Sequence, residues 1–338
     1  MRRVTWMVAV VMCLVLVAVG CGKRDAGSIV KDLDHVINKM DSYQGAGRMV
    51  LYTGEQPQEY QVEVWYKNPN FYRISLKNAE KDITQIVLRN EQGVFVLTPQ
   101  LKKSFRFQSD WPENQGQVYL YQSLVQSIKD DKNRVLATDK NAYVFDVLAN
   151  YQNEMLARQK IWLSKKNLTP QHVEVLDTNQ KVMVMVDFTS FELGKKFDKD
   201  SFDMERNMTS WNLQALPTMA GQTNKQQGFG IIEPSYTPQG VVKQDTTDMK
   251  LGEDQAVMLR YKGKYNYSLV ELRPQAMTVS LQPGSIVDLG YTLGVLTGLD
   301  KKTLTWIHDG VEYRLSTADL PMKEMMRVAT AVQGQMGK

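Results

Sequence analysis

Hydrophobic positions change their period several times along the 338 residues, and each change marks an element. A continuous apolar run from Val4 to Val19 comes first, preceded by Arg2 and Arg3. After Ser28, the residues Ile29, Leu33, Val36, Ile37 and Met40 recur at helical spacing, with Lys31, Asp32, Asp34 and Lys39 on the other side. This predicts an amphipathic helix capped by Ser28 and ended by Gly45 and Gly47. The period then drops to two. Val62, Val64 and Tyr66 alternate with Gln61, Glu63 and Trp65, and a Lys67-Asn68-Pro69-Asn70 turn leads into a second strand, Phe71 to Leu76. Strands are also predicted at 85–89, 94–98, 104–107, 142–148, 159–163, 172–176 and 181–191. A second helix at 117–129 places Val118, Tyr121, Leu124, Val125 and Ile128 on one face. Many short antiparallel strands and few helices predict a mainly β fold, a large curved sheet whose concave face the two helices cover.

The alternation stops after Phe202, and 213–230 is rich in Gln, Gly and small polar residues. A linker at 209–230 therefore divides a first domain, 28–208, from a smaller α+β module, 231–332, each large enough to hold its own core. Within the module, Asp309-Gly310 between alternating segments is a hairpin signal, and a helix with Pro321 near its first turn closes it at 322–332. A flexible connector would let the module search for a partner.

The apolar start has the three parts of an export signal: positive residues, a greasy stretch, and a small residue before Cys21. Val17-Ala18-Val19-Gly20-Cys21 resembles a lipobox, with Ala18 where leucine is usual. The expectation is a signal peptide at 1–20 and a tether at 21–27 that is lipidated (palmitoylated) on Cys21, placing the bulk of the protein outside the cytoplasm on the cell membrane. An uncleaved transmembrane anchor is the alternative, since the run is only just long enough to span a bilayer. Cys13 and Cys21 are the only cysteines, so disulfides, thiolate nucleophiles and cysteine metal sites are excluded from the mature part. A net charge of +4 argues against nucleic acid as a partner.

Candidates for catalysis are few. His35, His172 and His308 fall on separate elements without companions at ligand spacing, and read as structural or surface residues. The alternating carboxylates Asp198, Asp200 and Asp203 lack the glycine and closing glutamate of a calcium loop and read as a solvated turn. Nucleophile elbow, phosphate loop and dinucleotide fingerprint are all missing. No enzyme activity, cofactor or metal is expected. Met183 and Met185 on one strand face, and Met322, Met325 and Met326 on one helix side, suit either core filling or an adaptable apolar surface.

The stretches 62–74, Ile86-Val87-Leu88 and 93–99, then Lys160-Ile161-Trp162-Leu163-Ser164, Pro170-Gln171-His172 and Phe188-Thr189-Ser190-Phe191, resemble the LolA/LolB superfamily of lipoprotein carriers. That resemblance implies an incomplete antiparallel β-barrel with helices plugging its mouth and an apolar cavity for acyl chains. Cavity candidates are Val62, Val64, Tyr66, Phe71, Phe95, Phe105, Phe107 and Phe145, with Arg73 at the position of a cavity-side polar residue in the family. For the aromatic residues, an ordinary sheet core is the competing reading. The second module, through 234–238, 256–261, 268–271 and 304–315, resembles the domain of unknown function 4367 of Firmicute proteins. The combination resembles the YdcC-type sporulation lipoproteins, which implies a role in sporulation or envelope assembly. Two functions of different class remain. In one, the cavity binds a lipid, each buried methylene contributing about 0.8 kcal/mol. In the other, the fold is a scaffold that recognises an envelope or spore protein. A lipid-fixed chain cannot diffuse across an envelope gap, which excludes carriage between two membranes.

Overall fold

The computed structural model describes residues 24–52, 56–80, 83–108, 117–151, 156–209, 230–252, 254–274, 278–281 and 284–332. The predicted signal, Cys21 and nearly all of the predicted linker lie outside them. Helix α1 (Ala26–Lys39) is capped by Asp25, one turn before the predicted Ser28; the Asp25 carboxylate accepts the Ser28 N–H at 2.6 Å.

Gly45 and Gly47 do not end this helix. They lie inside β1 (Ser42–Leu51), a strand the apolar alternation does not reveal. A Cβ on Gly47 would stand 2.1 Å from the Asp187 carbonyl oxygen, and one on Gly45 2.9 Å from the Phe191 ring. A bulge between Ala46 and Gly47 brings the neighbouring strand this close, so the glycines mark close backbone approach within a sheet.

β1 is followed by β2 (Gln58–Lys67), β3 (Phe71–Asn78), β4 (Thr84–Asn90), β5 (Gly93–Thr98) and β6 (Lys103–Phe107), which pair in sequence as a meander. Helix α2 (Tyr121–Asp130) begins four residues later than predicted, after a turn through Tyr119. Then β7 (Val135–Thr138), β8 (Ala142–Leu148), β9 (Leu156–Ser164), β10 (Pro170–Asp177) and β11 (Val182–Leu193) form a second meander, and β11 closes onto β1. The short α3 (Met204–Thr209) follows.

The remaining chain forms β12 (Val241–Leu251), β13 (Asp254–Gly263), β14 (Tyr267–Leu272), β15 (Thr278–Leu281), β16 (Ser285–Asp288), β17 (Leu293–Thr297), β18 (Lys302–His308), β19 (Val311–Thr317) and α4 (Met322–Thr330). Seven of these eight strands form a second sheet in the order β12-β13-β14-β19-β18-β17-β16. The apolar side of α4, with Met325, Met326 and Val328 at most 1% exposed, is part of its core.

β15 instead crosses to the first sheet and pairs parallel with β6. The first sheet thus has twelve strands, ending at β15 and β7 without closing, which agrees with the mainly β, incomplete barrel expected from the sequence. The β18–β19 hairpin turns at Asp309-Gly310 with both φ angles positive, 49° and 75°, as the sequence signal requires. Its tip meets the first sheet, the Lys103 ammonium donating to the Gly310 carbonyl at 2.8 Å, and beside it Gln85 donates to the Thr292 hydroxyl in the β16–β17 turn. One hydrophobic cluster runs through both parts of the chain, from Ile29 and Val64 to Trp306 and Val332. The separate cores expected from the sequence are therefore merged, because strand exchange and the docked hairpin bring the two apolar surfaces together.

Candidate binding groove

The pleat divides the nine predicted cavity residues between two faces of the first sheet. Val62, Val64, Tyr66, Phe105, Phe107 and Phe145 belong to the common core that takes in α1 and α2, and Val64, Phe105 and Phe145 are 0% exposed. They pack in the common core with Ile29 and Leu33 of α1 and Leu124, Val125 and Ile128 of α2. Tyr66 lies 5.4 Å from Tyr43 and 5.0 Å from Tyr72, ring to ring, and Tyr43 stacks on Phe191 at 5.0 Å. Burial pushes the Tyr66 hydroxyl above its ordinary pKa.

Phe71, Arg73 and Phe95 are on the opposite, outer face. After β11 the chain folds back across this face. Phe197 stacks on Trp65 at 5.3 Å, and Phe202 sits 6.4 Å from Trp65 and 5.7 Å from Phe71. With Ile86, Leu88, Phe95, Leu97 and two methionines, Met204 and Met208, they form a small second core. The stretch 198–203, read from sequence as a solvated turn, is thus held down by its buried Phe202. Its carboxylates and Lys199 are exposed, and Asp198 and Asp200 pair with Arg206.

Beside this cluster runs an open groove of about 810 Å³, lined by Arg48, Glu63, Trp65, Arg73, Lys77 and Asn207, among others. Arg73 is its most constrained charge, 13% exposed. Its guanidinium lies 4.3 Å over the Trp65 ring, donates from Nη1 to Glu63 Oε2 at 2.8 Å, and donates from Nε to Asn207 Oδ1 at 2.6 Å. Burial lowers the Arg73 pKa, and Glu63 opposes that shift. Asn207 is itself fixed, its amide donating to the carbonyls of Ser201 at 3.0 Å and Asp203 at 2.7 Å. Farther along, Arg48 donates to Glu59 at 2.9 Å, and Asp187, the β11 residue paired with Arg48, bonds His172.

Trp65, Glu63, Phe197, Phe202 and Asn207 escaped the sequence reading of the site. An aromatic residue placed among charges on a polar strand face was the one available signal. The histidines stay apart: His35 is exposed on α1, His172 pairs with Asp187, and His308 is buried edge-on to Tyr291 at 4.6 Å. Among the described residues no cluster of His, Cys, Asp and Glu could hold a metal ion, and no helix is long and apolar enough to cross a membrane.

The family described as sporulation protein YdcC-like matches residues 1–202. The sporulation protein YdcC of Bacillus subtilis is 41% identical over 329 residues, covering 96% of this chain and 95% of that protein. The chain belongs to the YdcC-like sporulation family. The YdcC-type resemblance expected from the sequence is thereby borne out. Among solved structures, the MucA/MucB complex of Pseudomonas aeruginosa aligns at a TM-score of 0.34 and 14% identity, covering 91% of the YdcC-like chain and 98% of the other. A LolA superfamily protein from Nitrosomonas europaea aligns at 0.30 and 11% identity, covering 54% and 99%. Scores this low carry no argument about function.

Proposed function

We propose that this YdcC-like sporulation protein is a non-enzymatic scaffold, held outside the cytoplasm through lipidated Cys21, that binds an envelope or spore protein in the groove on the outer face of its first sheet. The observation that carries this reading is the division of the predicted site. Six of the nine residues expected to line an acyl cavity are packed in the core that takes in α1 and α2, whereas the groove presents fixed polar and aromatic groups, Arg73 among them, to solvent. An acyl chain entering the helix-covered face would have to displace side chains already packed there, offsetting the roughly 0.8 kcal/mol gained per methylene. A polypeptide laid in the groove needs no such rearrangement. It meets Arg73, Glu63 and Asn207 already oriented, which reduces the ordering cost of binding. Lipid binding between the helices and the sheet is the competing reading.

Photo-crosslinking in intact sporulating cells separates the two. A photoreactive residue replacing Lys77 is expected to give one discrete protein adduct, lost when Arg73→Glu is added. Mass spectrometry of organic extracts from the same purified protein is expected to find no stoichiometric lipid. A lipid of defined mass in the extract, with no groove adduct, would overturn the scaffold in favour of acyl-chain binding.

A further inference from the structure

The seven-stranded sheet has one end docked against the first sheet through Asp309-Gly310, and its other end is built differently. Register places the residues of that far end together. Val242 lies opposite Lys262, Tyr261 opposite Tyr267, Tyr267 opposite Thr317, and Thr317 opposite Lys302. The β13–β14 turn, the β17–β18 turn and the loop into α4 therefore share one rim. Leu299 in the β17–β18 turn is 90% exposed, and Val242 is 69% exposed.

Around them stand Lys262, Lys264, Lys301, Lys302 and Lys323, none of which pairs with a carboxylate among the described residues. Lys264 lies 5.4 Å over the Tyr265 ring, and Lys243, the sixth lysine of this rim, pairs with Glu233. The carboxylates beside these lysines are Glu233, Glu324, which pairs with Arg327, Asp300 and Asp319. Asp319 is occupied locally, accepting the Asn266 backbone N–H and side-chain amide, each at 2.9 Å. Ordinary protein surfaces intersperse the two signs of charge. This rim carries an excess of one sign around protruding apolar side chains and a tyrosine.

We infer that this rim is a membrane-contact surface that rests on anionic phospholipid, independently of the tether at Cys21 and of the outer-face groove. Lysines near a negatively charged leaflet are each attracted to it, and tyrosine is favoured at the depth of the headgroups. Leu299, alone on a hairpin tip, has no shaped apolar surface of its own to offer a protein. A fluid bilayer yields to such a tip, whereas a folded partner would need a matching hollow.

The test uses residues 24–338, which include every described residue and lack Cys21, and vesicles of phosphatidylcholine with or without phosphatidylglycerol. Flotation should show association only with the anionic vesicles, reversed by raising the salt to about 0.5 M. Lys301→Glu with Lys302→Glu should weaken association about tenfold or more, and Leu299→Ser a few-fold. These side chains are largely on the surface, and circular dichroism checks that the variants stay folded. No association at low salt, equal association with neutral vesicles, or an unchanged double-charge variant would overturn the inference. Binding to soluble polyglutamate but not to anionic vesicles would also overturn it, and would assign the rim to an acidic protein.

Discussion

Glu271 offers the sharpest test of how the module is held together. It sits on β14 between Val257 and Tyr313 of the flanking strands and is 1% exposed. Its carboxylate accepts the Ile232 N–H at 3.0 and 3.2 Å, tying the entry of the module to its sheet. Burial pushes its pKa from 4.5 to about 7, against the opposing pull of the Ile232 hydrogen bond and Arg273. The folded protein therefore keeps this proton at pH values where the unfolded chain has lost it, so stability falls as pH rises from about 4.5 to about 7 and is flat above. At about 1.4 kcal/mol per pH unit the loss is about 3 kcal/mol, an upper bound because the buried site can relax. Glu271→Gln keeps a carbonyl oxygen for the Ile232 N–H and removes the charge. Urea unfolding of the two proteins should give equal stabilities near pH 4.5, with the variant about 1–3 kcal/mol more stable near pH 8. Subtracting the curves cancels other titrating groups, including Asp288, whose pKa burial raises to about 6. A difference that stays constant across this range would refute the reasoning, since an uncharged role for Glu271 has no pH dependence.

Two further outcomes follow, one from the fold and one from the proposed anchor. Gly47→Ala forces a methyl group against the Asp187 carbonyl at the β1–β11 bulge and should cost about 1–3 kcal/mol in urea unfolding; an unchanged midpoint would place the bulge elsewhere. Cys21→Ala should leave the precursor unprocessed or shift the protein out of the detergent phase on phase separation. Unchanged partitioning with an intact signal would favour a membrane-spanning start over a lipid anchor.

Elements were legible wherever periodicity was strong. Val62, Val64 and Tyr66 announce β2, and Asp309-Gly310 announces its hairpin, because pleat and turn chemistry are local and are written into neighbouring residues. β1 was not legible, since its glycines serve an approach by Asp187 and Phe191, far along the chain. The candidate site was half legible for the same reason. Alternation sorts Val64 from Trp65, but it cannot say which face the helices cover or that Phe197 and Phe202 return to cover Trp65.

The sequence by itself determined a mainly β chain, the order of most of its strands, an apolar start ending at Cys21, and the poverty of catalytic groups. Only the tertiary structure decided that Phe105 and Phe145 are core, that Arg73 belongs to an outer groove with Glu63 and Asn207, and that β15 leaves its own module to pair with β6. Strand pairing and burial depend on residues that meet only after folding, so no local pattern along the chain records them.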